Sequence, residues 1–555
     1  MIRIPPWFLV AVALLVNLPS LAGHGTQPLL VTVEADLAYW AEQRLTAISQ
    51  FECSDQLHSA QLNGLTVKPS YTIRNKEGFA GKTGIIYGLT EAQQLAKFRF
   101  WTVSGPDVFR EFLGTLMEAR GEGASMEGSE FQKVIRVAQQ PAVPGQPTYT
   151  WHDLYVSYFD GIIYLGGSEA TLHFQDSSVL QNVLAQANGN DEFLWAGLKH
   201  VPDGIRQQFL TILSAHLGVQ MQRADSESET AFQDRHDAAE AMQEAMRSLL
   251  FDINEITAWM SYPASGNPMK AGFRIHAKPD SAFSRLMRST RASSTVPRPH
   301  VDHAIVRLDI CFLATGVFET LAKPIFDRLA QSLGVPAFDQ DSEDGSRFDL
   351  SLALGGTETP CLSAALLCPD SGVEAEGVRS KLDTYLAQLS TEYGSVVSEV
   401  VRQLSPVKAH IDRDCLHLEL GSASVAPAQT EVSEGSVIDF IRLEADLGRL
   451  RDLPDPKTHG SHFCPFFDLS RFVITWEMIS EGMKPFVDRK TLVKRSGKPI
   501  IDHVLEGGDW SARAVGTTDG EMTVLTATVG RDLYYFYLAE SLLAQAAFFR
   551  TAGIR

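Results

Sequence analysis

After the apolar segment Trp7 to Val16, the chain contains no uncharged apolar stretch of the roughly 20 residues needed to span a bilayer. That absence argues against a membrane span in the rest of the protein. Cysteine is also scarce: Cys53, Cys311, Cys361, Cys368, Cys415 and Cys464 are too few for a disulfide scaffold, and no CxxC or CxxCH supports redox or haem chemistry. Their even number leaves one or two bridges open, with no pairing readable from spacing. Positive charge is outweighed, with 48 Lys and Arg against 67 Asp and Glu and a net charge of -19, which excludes nucleic acid as a partner. The one basic, acid-free stretch, around Arg288, Arg291 and Arg298, reads as a solvated linker.

Familiar catalytic and nucleotide motifs are missing too. There is no GxSxG, and Ser168 in Gly166-Gly167-Ser168-Glu169-Ala170 reads as a helix cap. Gly81-Lys82-Thr83 resembles the end of a phosphate loop, but Lys76 stands where the first glycine belongs and a strand pattern follows. The glycines from Gly121 to Gly128 follow a helix and lie in an acidic loop, unlike a dinucleotide fingerprint. Asp339 to Gly345 resembles a calcium loop, yet Asp344 replaces the required glycine and Leu350 the bidentate glutamate, so it reads as a solvated acidic loop.

What is present begins with an address. Arg3, the apolar run Trp7 to Val16, Pro19 and the small residues of Ser20-Leu21-Ala22 form an export signal cut after Ala22. The mature chain is expected to be exported, to the periplasm, the cell surface or the medium. With 44% hydrophobic and 21% charged residues, it is a folded globular protein with room for several domains.

The second half contains an internal repeat. Shifting the sequence by 161 positions places Lys323-Pro324-Ile325-Phe326-Asp327-Arg328 on Lys484-Pro485-Phe486-Val487-Asp488-Arg489. The alternating stretch Asp349 to Gly355 then falls on Trp510 to Gly516, and Leu362 to Leu367 on Thr523 to Thr528. Each copy reads as strand, helix and hairpin. Val306, Leu308, Ile310 and Phe312 form one strand face, and Phe318, Leu321, Ile325, Leu329 and Leu333 follow at helical spacing up to Gly334. A related unit precedes residue 290, with a strand at Phe193 to Leu198, a helix at Asp203 to Leu217 and a hairpin of Ile256 to Tyr262 with Lys270 to Ala277. A Ser226-x-x-Glu229 capping box opens an inserted helix ending near Phe251, with Met242, Met246 and Leu249 on one face.

A second recurring element is a strand leading into a capped helix, as in Gly84 to Tyr87 before Thr90-Glu91-Ala92 and Gly161 to Tyr164 before Ser168-Glu169-Ala170. Looser strand copies follow Arg413-Asp414 and Arg531-Asp532, at Cys415 to Leu420 and Leu533 to Leu538. The expected fold class is α+β, with repeated strand-helix-hairpin modules forming antiparallel sheets packed with helices. The expected boundaries are a signal peptide at 1–22, an N-terminal domain at 23–299 and repeats at 300–430 and 431–555.

The one constellation with metal-ligand chemistry is a pair of HxxH motifs, His300-x-x-His303 and His459-x-x-His462, the second followed by Cys464. Composition alone predicts about 0.4 such pairs, so two is a modest excess. If the repeats pack face to face, these donors can hold zinc or copper. The plainer account is turn histidines retained after duplication. No residue is assigned a catalytic, cofactor or metal role on this basis.

The export signal, the hairpin ending in Pro279-Asp280-Ser281 and the strand Asp160-Gly161-Ile162-Ile163-Tyr164 leading to Ser168-Glu169-Ala170 resemble a group of large exported bacterial proteins of unknown function built from duplicated α+β modules. The resemblance implies the architecture and carries over no catalytic residues. The primary expectation is a non-enzymatic binding or envelope-scaffold protein whose ligand is an apolar molecule, a polymer or an envelope protein. The alternative is a metal-dependent enzyme using His300, His303, His459, His462 and Cys464.

Overall fold

The computed structural model describes residues 26–34, 37–51, 82–90, 95–120, 124–137, 153–172, 174, 177–220, 229–263, 267–289, 298–314, 346–367, 374–393, 395–412, 415–421, 426–429, 438–468, 499–519 and 521–551. They fall into two compact units. The first comprises Met1–Trp40, Pro69–His216 and Ile253–Ser261; the second comprises Ala41–Lys68, Leu217–Asp252 and Tyr262–Arg555. Both are α+β, with antiparallel sheets packed against helices. Among the described residues, no helix is long and apolar enough to cross a membrane.

The strands of the first unit are β1 (Thr26–Glu34), β2 (Thr83–Thr90), β3 (Leu95–Thr102), β4 (Ala124–Gly128), β5 (Gln132–Val137), β6 (Leu154–Phe159), β7 (Ile162–Gly166), β8 (Glu192–Ala196) and β9 (Ile253–Ser261). They pair antiparallel in the order β9-β8-β1-β2-β3-β7-β6-β5-β4. Alternation decides what each face buries: Ala96, Phe98 and Phe100 of β3 are buried while Lys97 and Arg99 between them are exposed. One face packs Val31, Ile86, Phe98, Tyr164 and Trp195 against Leu180 and Val183 of the helix Ser177–Gln186. Another core joins Ile135, Val156 and Ile163 to Phe109, Phe112 and Leu113 of the helix Pro106–Arg120.

Two glycine positions in this unit are dictated by geometry. Asp160 and Gly161, both at positive φ, form the two-residue turn that joins β6 to β7, the Asp-Gly pair favoured in hairpins of this kind. At Gly84 a Cβ would lie 1.7 Å from the Thr32 carbonyl oxygen, so β1 and β2 can approach each other only over a residue without a side chain.

In the second unit the strands are β10 (Met269–Ala277), β11 (Arg298–His300), β12 (Val306–Ala314), β13 (Ser346–Gly355), β14 (Cys361–Leu367), β15 (Val407–Asp412), β16 (Cys415–Leu420), β17 (Ala426–Gln429), β18 (Ile438–Asp446), β19 (Ser511–Thr518) and β20 (Met522–Val529). Their sheet has the order β10-β20-β19-β18-β12-β13-β14-β16-β15, and β11 pairs separately with β17. Val378 and Leu382 of the helix Ala375–Tyr393, with Val400 and Leu404 of the helix Ser395–Leu404, cover Leu416, Leu418 and Leu420. Leu450, Phe463, Ile501, Val504, Trp510 and Phe536 form a second core. A third joins Ala47 and Ile48 to Tyr535, Ala539 and Leu542 of the helix Arg531–Thr551.

Several expectations need correction. Leu533 to Leu538 is helical: Leu533, Phe536 and Tyr535, Ala539, Leu542 recur at helical spacing and are buried, and this periodicity outweighs the apolar run that suggested a strand. β2 runs on through Thr90, which therefore lies in the strand and not at a helix cap; residues 91–94 lie outside the described residues, and β3 begins at Leu95. Ser168 stands at the N-cap of the short 3-10 turn Glu169–Thr171, but its side chain makes no capping hydrogen bond. The inserted helix forms over Glu229–Asp252. The segments around Lys323 to Arg328, Lys484 to Arg489 and the acidic loop Asp339 to Gly345 lie outside the described residues, as do Cys53 and Cys368.

The 161-residue shift matches strands but not their pairing. Leu354 pairs with Leu362, whereas Val515 pairs with Thr526, three residues beyond the Thr523 that the shift predicts. An odd displacement exchanges the two faces of one strand relative to its partner, so residues aligned without a gap do not occupy equivalent surroundings.

Candidate functional site

The second unit's sheet has one apolar face and one polar face. Val306, Leu352, Ala364, Leu418 and Ala445 belong to the helix-covered side. Alternation sends the intervening residues to the other side. There, one rung of paired residues crosses seven strands: Lys408, Glu419, Ser363, Ala353, Arg307, Glu444 and Arg513. The adjacent rung contains His410, His417, Ala365, Ser351, Asp309 and Arg442. Cationic and anionic side chains therefore alternate across a surface built from non-consecutive strands.

This face is only partly open. Asp349 and Ser351 are 1% and 3% exposed, and β11 packs over β13 and β14. Beside β11 lies a cleft of about 60 Å³ lined by Pro299, Arg307, Asp309, Ser351, Arg442 and Glu444. The Ser351 hydroxyl donates to Asp309 Oδ1 at 2.5 Å, and Arg513 Nε lies 3.8 Å from Glu444 Oε1. Two guanidiniums and two carboxylates make the lining of this small cleft strongly polar. The Ser351 hydroxyl is held by the Asp309 carboxylate, and among the described residues no histidine lines the cleft.

The HxxH segments reach a shared place. His303 is exposed at φ 47°, and the turn between β13 and β14 is held to its segment by a hydrogen bond from Gly356 N–H to the Asp302 carbonyl, 2.8 Å. In the same turn the Glu358 carbonyl oxygen accepts from His462 Nδ1 at 2.9 Å. The His459 and His462 rings are 6.3 Å apart, and His459 Nδ1 is buried with no hydrogen-bond partner among the described residues. His300 ends β11, where its backbone pairs with Ala426. Burial pushes the Cys464 thiol up to about 11, opposing the thiolate needed for metal binding. Among the described residues, no group of three or more His, Cys, Asp or Glu side chains is placed to hold a metal ion. The two motifs approach one turn without assembling a coordination shell.

Other motif residues have structural places. Lys82 Nζ donates to the Ala187 carbonyl, and Thr83 opens a strand rather than a phosphate-binding helix. Cys311, Cys361, Cys415 and Cys464 are thiols.

His417 lies on β16. Its partner is His410, directly opposite on β15, with ring centroids 4.8 Å apart and planes 8° from parallel. Burial, then the neighbouring His410, lowers the His417 imidazole pKa below its ordinary value, against the opposing pull of Asp412 and Glu419. The available signal was two histidines placed symmetrically about Arg413-Asp414. The charged rungs could be suspected from Arg307-Leu308-Asp309 and Arg442-Leu443-Glu444, but the strand neighbours that bring them together could not be read.

No protein-family model, characterised protein or solved structure matches this chain.

Proposed function

We propose that this is an exported, non-enzymatic binding or envelope-scaffold protein whose polar sheet face holds a charged segment of a polymer or an envelope protein. The observation that carries the proposal is the cleft on strands β12, β13 and β18, where Arg307, Arg442, Asp309 and Glu444 converge. Export rests on residues 1–22, which lie outside the described residues. The charged lining favours a polar ligand over the apolar one included among the initial expectations.

The architecture in this proposal is modular. In the first unit the strand order β9-β8-β1-β2-β3-β7-β6 is matched in the second by β19-β18-β12-β13-β14-β16-β15. In chain order, β1 leads to the hairpin β2-β3, β12 to β13-β14, and β18 to β19-β20. This recurring order supports duplication of a strand-helix-hairpin module. A sheet extended in this way offers a long recognition surface.

Binding of charged peptides and acidic glycans to mature protein tests the proposal, with Arg307→Ala and Arg442→Ala as variants. A hydrogen bond to a charged group contributes about 1.5 to 3 kcal/mol, so loss of either contact should weaken binding on the order of tenfold or more. Binding indifferent to both substitutions, or turnover of any probe, would reject it. N-terminal sequencing of secreted protein should begin at Gly23; retention of residues 1–22 would reject the export component.

The alternative is a metal-dependent enzyme using His300, His303, His459, His462 and Cys464. The lack of a three-donor group among the described residues and the raised Cys464 pKa weigh against it. Stoichiometric zinc or copper in tag-free protein, lost in His459→Ala/His462→Ala, would restore it.

A further inference from the structure

The β15–β16 hairpin concentrates polar donors on one face. Lys408, His410 and Asp412 stand opposite Glu419, His417 and Cys415 respectively. Lys408 Nζ lies 3.8 Å from Glu419 Oε2, while Cys415 is buried with Ala365. His410 and Asp412 are exposed, and His417 is half-buried. The middle pair is therefore accessible, flanked by a carboxylate, and held by the hydrogen-bonded ladder instead of by a loop.

We propose that His410 and His417 form a two-imidazole site for one divalent transition-metal ion on this hairpin. Metal-to-imidazole bonds are about 2.0 to 2.1 Å, so two nitrogens bound to one ion can be no more than about 4.2 Å apart. The centroids of the nearly parallel rings are 4.8 Å apart. The lone pair of an imidazole nitrogen lies in its ring plane, so rings 8° from parallel do not share an ion as stacked; chelation requires both side chains to turn to other χ1 and χ2 rotamers, which the exposed His410 permits without moving either strand. Both side chains project from adjacent, directly paired backbone positions, so little ordering of the chain remains to oppose chelation. Water completes the coordination, and the exposed Asp412 carboxylate, which is not placed as a third ligand, adds negative charge nearby.

The proposed donor set does not discriminate by thiolate or by a complete protein cage. Its order of preference should follow the general trend for imidazole donors, with Cu²⁺ above Ni²⁺ and Zn²⁺. This binding site is independent of the charged cleft and does not require catalysis. It is also distinct from the two HxxH segments, whose His459 and His462 are separated by 6.3 Å between ring centroids.

The experiment uses full-length mature protein carrying His459→Ala/His462→Ala, so that those two histidines cannot contribute. Ni²⁺ titration by calorimetry should show one ion per chain at this site, lost in His410→Gln and equally in His417→Gln. Cu²⁺ added at one equivalent should give an electron paramagnetic resonance spectrum with coupling to two imidazole nitrogens, reduced to one in either single variant. His410 is exposed, which makes His410→Gln the variant of choice if the half-buried position disturbs folding. Asp412→Asn should weaken binding less than either histidine change. Unchanged Ni²⁺ stoichiometry in His410→Gln, or unchanged nitrogen coupling from Cu²⁺, would overturn the assignment; so would no uptake of either ion by the parent protein.

Discussion

Asp532→Ala should loosen the packing of the C-terminal helix in the second unit. Asp532 is 7% exposed, and its carboxylate accepts hydrogen bonds from Gln50 Nε2 at 2.6 Å and Asp509 N–H at 2.8 Å. It also lies in the first turn of the helix Arg531–Thr551, where negative charge is favoured by the exposed N–H groups and helix dipole. Leaving a buried donor unsatisfied costs about 1 to 3 kcal/mol. Loss of the helix-end charge adds about 0.3 to 1 kcal/mol. Gln50 is exposed enough to recover water, so its bond adds little to the net loss. The expected local destabilisation is therefore about 1.3 to 4 kcal/mol. Because a chain with two units need not unfold in one step, hydrogen exchange of Asp509 and the helix amides is the appropriate assay. Those amides should exchange roughly 10- to 700-fold faster, by the relation of about 1.4 kcal/mol per tenfold change in an equilibrium constant. Asp532→Asn, which keeps an acceptor but loses the charge, should fall between Asp532→Ala and wild type. Exchange within a factor of two of wild type in Asp532→Ala would refute the proposed role of this carboxylate.

Three other perturbations address different parts of the fold. His417 has a lowered pKa in the folded chain, so the unfolded chain binds more protons as pH falls below about 6.5; its stabilising contribution is present above that value and lost as pH falls through the folded pKa. His417→Gln should remove that component of the acid dependence, and an unchanged unfolding profile from pH 7.5 to 5 would exclude it. Cys464, with its thiol pushed up to about 11 by burial, should resist iodoacetamide at pH 8 in native protein and react after denaturation; rapid native alkylation would contradict its placement. Gly84→Ala puts a Cβ 1.7 Å from the Thr32 carbonyl, so the β1–β2 ladder must part and folded yield should collapse, whereas recovery of soluble protein with wild-type thermal stability would show that the close approach is absent.

Much of the strand content was legible because alternating burial leaves a period of two in the sequence. Asp349 to Gly355, Leu362 to Leu367 and Cys415 to Leu420 lie within β13, β14 and β16, respectively. The strand expected from Asp160 begins at Ile162, because Asp160 and Gly161 take the two positive φ angles of the hairpin turn. The run after Arg531 was less readable: a short apolar segment suits either a strand or a buried helix, and the helix is stabilised by Tyr535, Ala539 and Leu542 packing against Ala47 and Ile48. The HxxH motifs identified possible donors, but donor chemistry alone could not establish a shared coordination shell.

The sequence by itself determined the charge balance, the order of helix- and strand-forming segments and the alternation of polar and apolar faces. Only tertiary structure decided that Arg307 and Arg442 share a cleft, that His410 stacks on His417, and that the two HxxH segments approach the turn containing Gly356 and Glu358. The physical reason is range: turn conformation and side-chain alternation act over neighbouring residues, whereas β12–β18 pairing joins positions such as Asp309 and Arg442 that are far apart in the chain. Their local patterns specify which side chains can share a face, but the long-range backbone ladder selects which of them meet.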